Sequence, residues 1–356
     1  MNKINAKIVA DSIDPRGNRI TSYILTYPRM IHSELMTHRM FSRNAASSRA
    51  IPFEKMVKMV EEDPFIPIAW QKQHKGMQGT EYITDDLSVQ FATSNWLQAA
   101  NDAIKNAKSL YSDKNGYESI TKQLCNRLLE PFMWYTSLVT ATEYDNFFEL
   151  RCPKYFGKYK SWKDACNKGG ATDNTSFEYR MNDSQAEIHI QALAEAMWDA
   201  RNGSTPKELK AGEWHIPFGD KINISEEERL DYSKDTNLGQ IEAFEKMSLK
   251  VAVARCARLS YMTFDNKIDY EKDIKLHDRL LESKHMSPFE HCARVATEKE
   301  YFSNIKGYIG ISNIEDIDEV DMIDFDYTDL NSKELGWFNN FRGFIPYRYL
   351  IENNHE

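Results

Sequence analysis

Two short β-rich runs flanking a turn constrain the fold of this chain more than any other feature. Residues 7 to 11 (KIVAD) and 20 to 27 (ITSYILTY) are dense in β-branched and aromatic side chains, and Pro15-Arg16-Gly17-Asn18 supplies turn chemistry between them. Strands joined so closely pair antiparallel, because a parallel pair needs a much longer crossover. Helical spacing follows. From Asp86 to Tyr111, Trp96, Ala99, Ala100, Ala103, Ile104, Ala107 and Leu110 recur at three- and four-residue steps, which predicts one face of a helix. Ile120, Leu124 and Leu128 continue that spacing to Pro131, and Ile190, Leu193, Ala194 and Met197 predict a helix capped near Asn182 or Asp183. Another helix is expected from Asp273 to Leu281, and a short one between Met30 and His38. The two periods occur in one chain, so strands and helices are both expected.

Composition narrows the function classes. At 41% hydrophobic over 356 residues the chain can bury a sizeable core, and its net charge of -9 disfavours a nucleic-acid partner. The start, MNKINAKIVADSID, has no apolar signal region, and no run of 18 apolar residues occurs, so neither secretion nor membrane spanning is expected and a cytoplasmic location is. Five scattered cysteines without a C-x-x-C pair read as free thiols. His32, His38, His285 and His291 lack the spacing of a zinc site, so no metal is expected. Dinucleotide-binding, P-loop and nucleophile-elbow glycine patterns are absent. The length suits one large or two ordinary domains, and 154–180 and 204–240 read as insertions that suit surface loops or lids. The acidic stretch 314–330 lacks EF-hand spacing and reads as a solvated loop.

The chemistry concentrates in Thr37 to Arg49, THRMFSRNAASSR, where arginines, serines and an asparagine surround small alanines that let backbone approach a ligand. Such donors suit an oxyanion, and a nucleotide phosphate is the natural guest. Thr37-His38-Arg39, seven residues, then Ser47, with Arg49 in register, resembles the signature of the flavin-dependent thymidylate synthases, Arg-His-Arg, seven residues, then Ser. Arg127-Leu-Leu-Glu-Pro131, TEYDNFFELR ending at Arg151, and Ser184-Gln185-Ala186-Glu187-Ile188 are similar to three further stretches of that family. ARCARLSY (254 to 261) and LLESKHMSPFEH (280 to 291) resemble two more, but stand over 200 residues after the first motif instead of before it, so the chain looks circularly permuted.

The resemblance implies one permuted catalytic domain over 1–356, an α/β fold of the α+β type with a central antiparallel sheet flanked by helices, and roles for particular residues. Arg49, Ser47, Ser48, Arg127, Arg151 and Glu34 would bind substrate; His38, Arg39, Asn44, Asn146, Ser260, His285 and Ser287 would bind cofactor; Arg151 and Arg39 would act in catalysis. A fixed arginine at the base lowers the barrier, because adding carbon or hydride to a pyrimidine drives negative charge onto its carbonyl oxygens. The implied reaction is reductive methylation of dUMP to dTMP in a homotetramer, with FAD as cofactor and methylenetetrahydrofolate and NADPH as co-substrates. Thr37, Ala45 and Ala50 depart from the signature where a pyrimidine deoxynucleotide monophosphate should sit. They keep two alternatives open: a methyl- or hydroxymethyltransferase acting on dCMP or dUMP, and a nucleotide-binding protein without catalysis. The segment WFNNFRGFIPYRYL (337 to 350) offers either a replacement cation from Arg342 or Arg348, or an amphipathic tail packed on the core.

Overall fold

In the computed structural model, which describes residues 3–75, 81–113, 116–155, 186–259, 269–304 and 332–353, the first two strands form the expected hairpin. Strand β1 (Asn5–Ile13) pairs antiparallel with β2 (Arg19–Pro28). Its turn is held by the Asp14 carboxylate, which accepts from the backbone N–H groups of Arg16 (2.9 Å) and Asn18 (2.8 Å). Gly17 takes the left-handed φ of 86° that closes it. The register breaks between Ile8 and Ala10, and the Val9 carbonyl freed by this bulge accepts from Phe218 N–H at 2.9 Å.

The protein is a mixed α/β fold. Its main sheet has the order β3 (Ser42–Ala45), β4 (Trp134–Ala141), β2, β1, β5 (Lys207–Glu208), antiparallel except for the short β1–β5 pairing. Helices α1 (His32–Met36), α2 (Phe53–Glu62), α3 (Asp86–Tyr111), α4 (Lys122–Cys125), α5 (Asp145–Arg151) and α6 (Ile188–Asn202) belong to this half. They pack Ile104, Phe147, Leu193 and Met197 against Tyr23, Leu25 and Tyr27 of β2. A three-stranded antiparallel sheet has the order β10 (Phe344–Pro346), β7 (Ala293–Val295), β6 (Trp214–His215), and a two-stranded ladder joins β8 (Trp337–Phe338) to β9 (Phe341–Arg342). Around these lie α7 (Glu226–Thr236), α8 (Gln240–Arg258), α9 (Tyr270–Glu282), α10 (Glu298–Ser303) and α11 (Tyr347–Glu352), with a second core of Leu249, Val253, Phe289 and Tyr347.

Three expectations change. Ile120, Leu124 and Leu128 point outward, at 38%, 56% and 41% exposure, and do not continue the α3 face. The chain becomes a 3-10 helix over Asn126–Phe132, whose three-residue turn buries Asn126, Leu129 and Phe132 instead. Helix α6 is capped by the Glu187 carboxylate, which accepts from His189 N–H at 2.8 Å; Asn182 and Asp183 lie outside the described residues. Within 204–240, β5, β6 and α7 appear and Leu209, Phe218, Ile222 and Ile224 are buried, in elements mostly too short to show a period. Most of 154–180, the acidic stretch over 314–330 and Cys166 lie outside the described residues, while Cys125, Cys152, Cys256 and Cys292 are buried free thiols. Among the described residues no helix is long and apolar enough to cross a membrane.

Candidate active site

Strand β3 carries the serine motif to the edge of the main sheet. Asn44 and Ala45 stand opposite Leu138 and Ser137 of β4, and Ala46 N–H reaches the Thr136 carbonyl at 2.9 Å. The chain then turns, the Ser47 carbonyl accepting from Ala50 and Ile51 at 2.9 and 3.1 Å. This turn opens onto a pocket of about 520 Å³ lined by Arg29, Ala45, Ala46, Ser47, Ser48, Arg127, Glu130 and Tyr135. Arg127 belongs to a different motif. The neighbouring Asn126 is fully buried, and its amide donates to the carbonyls of Ser48 (2.6 Å) and Ile51 (3.0 Å), fastening the 3-10 helix to the serine turn. Ser47, Ser48 and Arg127 thus share one pocket.

A second cluster sits where α5 meets the loop after α1. Arg151, the last residue of α5, donates through Nε to His38 Nε2 at 3.4 Å and places Nη1 3.9 Å from the Glu34 carboxylate. Burial, then the positive charges of Arg151 and Arg43, push the His38 imidazolium down to about 4, so the ring is neutral at pH 7. Its Nε2 must carry the lone pair, since Arg151 can only donate. Burial and the nearby Glu187 raise the Glu34 carboxyl, with Arg151 opposing them. Thr37 does not enter this cluster: its hydroxyl donates to the Glu34 carbonyl at 2.7 Å and closes α1.

The cofactor candidates are distributed differently. Asn44, buried on β3, accepts from the Ser287 hydroxyl, joining the first motif to the last, and its amide donates to the Cys256 carbonyl of α8 at 3.3 Å. Arg39, Arg49, Asn146 and His285 are exposed, and among the described residues their side chains make no hydrogen bond or ion pair. Ser260 lies outside the described residues. The tail packs on the core: Phe341, Phe344 and Tyr347 are buried, Arg348 pairs with Glu290 (2.5 Å) and Glu352 (2.8 Å), and Arg342 donates to the Leu335 carbonyl at 3.2 Å. Asn340 then reaches the Ser42 hydroxyl at 3.0 Å.

Arg29, Glu130 and Tyr135 line the pocket without having been singled out in the sequence. A three-residue period from Asn126 would have placed Arg127 and Glu130 on one face, as a 3-10 helix does. Arg29 lies outside the motifs and carries no such signal.

No family model and no curated protein matches the chain. Among solved structures, the crystal structure of a UMP/dUMP methylase, PolB from Streptomyces cacaoi, bound with 5-Br UMP is 15% identical, over 56% of this chain and 89% of that one, with a TM-score of 0.37. The same methylase bound with 5-Br dUMP matches at 15% identity over 49% of this chain and 70% of that one, with a TM-score of 0.30. At such values the function rests on the chain's own residues.

Proposed function

We propose that the protein is a pyrimidine nucleotide methyltransferase that converts dUMP to dTMP reductively. The observation that carries this reading is the pocket shared by Ser47, Ser48 and Arg127, which delivers two hydroxyls and a guanidinium to one place suited to a phosphate monoester. The cluster of Arg151, His38 and Glu34 supplies the rest of a nucleotide site. Arg151 faces the pyrimidine carbonyl and offsets the negative charge that grows there. His38, held neutral, presents its lone pair to Arg151 and keeps that guanidinium aimed. Glu34 lies beyond Arg151 as its counter-charge and an acceptor for the ring N–H.

The donor chemistry suits FAD: among the described residues the side chains of Arg39, Asn146 and His285 make no hydrogen bond or ion pair, and the Asn44–Ser287 pair fixes the wall between two motifs. In this reading the site would hold FAD, which once reduced by NADPH would supply the hydride, while methylenetetrahydrofolate would supply the carbon and leave as tetrahydrofolate. By the same resemblance the active form is a homotetramer.

Arg127→Ala tests the reading. It should weaken dUMP binding about tenfold or more while leaving deoxyuridine, which has no phosphate, unchanged. Equal dUMP affinity in the variant and the parent, measured by calorimetry, would remove the phosphate from this pocket.

A further inference from the structure

We propose that Glu130 is a resident counter-ion which holds the phosphate donors of this pocket until a phosphate ester replaces it, and that Arg29 is the guanidinium passed from one anion to the other. The proposal rests on the reading of the pocket as a phosphate site. Arg29 follows Pro28 at the end of β2, and its guanidinium carbon lies 4.8 Å from the centroid of the Tyr135 ring. Its Nη2 is 3.4 Å from one oxygen of Glu130, whose other oxygen accepts from the Ser48 hydroxyl at 2.5 Å. One carboxylate therefore engages a guanidinium and a hydroxyl, the donor types that bind a phosphate oxygen.

Three observations say the occupation is provisional. The Arg29–Glu130 contact at 3.4 Å is longer than a well-formed charge-assisted hydrogen bond. Among the described residues the buried Arg29 Nε has no hydrogen-bond partner, which disfavours the present arrangement. The two side chains keep 26% and 22% of their exposure, so Glu130 can swing toward water while Asn126 pins the backbone beneath it. Arg29 has a reason to stay, since the Tyr135 face retains it by cation–π attraction.

Charge gives the exchange its direction. With Glu130 seated, Arg29 and Arg127 leave the pocket one net positive charge; with Glu130 displaced, both guanidiniums face the dianion of a phosphate monoester. A phosphate bound beside a seated Glu130 would set two anions against Arg29, and their mutual repulsion at such close range is unfavourable.

The test is a double-mutant cycle on the full chain, titrating inorganic phosphate, dUMP and deoxyuridine by calorimetry at fixed ionic strength. Glu130→Gln should tighten inorganic phosphate and dUMP by roughly threefold to tenfold and leave deoxyuridine unchanged. Arg29→Gln should weaken both phosphates about tenfold, and in that background Glu130→Gln should change them by less than about twofold. Glu130→Asp, which retracts the carboxylate from Arg29, provides the same direction of change if the Gln variant melts early. Weaker phosphate binding in Glu130→Gln, or an equal gain with and without Arg29, overturns the exchange. Arg127→Ala run in parallel separates the two failures. Unchanged dUMP affinity there rejects the phosphate pocket and the exchange together, whereas weakened binding there without a gain in Glu130→Gln rejects the exchange alone.

Discussion

At the scale of the residue, the role proposed for Arg151 at the base can be tested through its contacts with His38 and Glu34. Burial is the larger cause of the depressed His38 value and the Arg151 charge the next, so Arg151→Ala should let His38 rise toward the ordinary histidine value without reaching it. NMR titration of the ring reads this directly; an unmoved His38 would mean that the two side chains do not face each other in solution. The same variant should lower turnover about a hundredfold, the usual cost of removing a donor from a developing oxyanion. Of the residues that motif spacing singled out, Ser47, Ser48 and Arg127 line one pocket, while Arg39, Arg49, Asn146 and His285 do not line it. Arg29 could not be read this way, because its place depends on the face of Tyr135, a long way along the chain.

Among the elements, the hairpin and α3 were legible because each repeats one period for long enough to be recognised. Helix α8 was not, for a physical reason: its second half buries Leu249, Val251, Ala252, Val253, Ala254, Cys256 and Ala257, leaving no polar stripe to mark a period. Nor did Ile120, Leu124 and Leu128 reveal the change to a 3-10 helix that turns them outward. The join between the tail and the first hairpin rests on Gly343, which has φ of 75°. A Cβ there would sit 2.4 Å from Asp14 Oδ2 and 2.5 Å from Asn18 Nδ2. Gly343→Ala should therefore destabilise the protein by about 2–4 kcal/mol, combining left-handed strain with a clash against the hairpin turn. Chemical denaturation checks this, and an unchanged midpoint would show that the tail does not seat there.

Across the whole molecule, the two larger sheets are stitched by a buried polar chain. Ser12 and Ser22 hydrogen-bond the two nitrogens of His215 at 2.9 Å each, Ser22 meets Thr140 at 2.6 Å, and Thr140 meets His291 Nδ1 at 2.9 Å. No local pattern announces it, because residues 12 to 291 meet only through strand register, Ser22 facing Thr140 across β2 and β4. Burial pushes both histidines down to about 3, so the unfolded chain takes up protons below its ordinary value near 6.5 that the folded chain refuses. Their contribution is complete above that value and declines as pH falls toward 3; between pH 7 and 5 the pair alone should remove about 4 kcal/mol of stability. Urea unfolding at the two pH values measures it, and equal stability would place a charged or solvated group in the relay. The proposed methylation is read from the mass of the nucleotide recovered after incubating the protein with dUMP, methylenetetrahydrofolate, FAD and NADPH. The expected product is dUMP heavier by one CH2 unit; dUMP recovered unchanged, or carrying an added CH2O, would overturn reductive methylation.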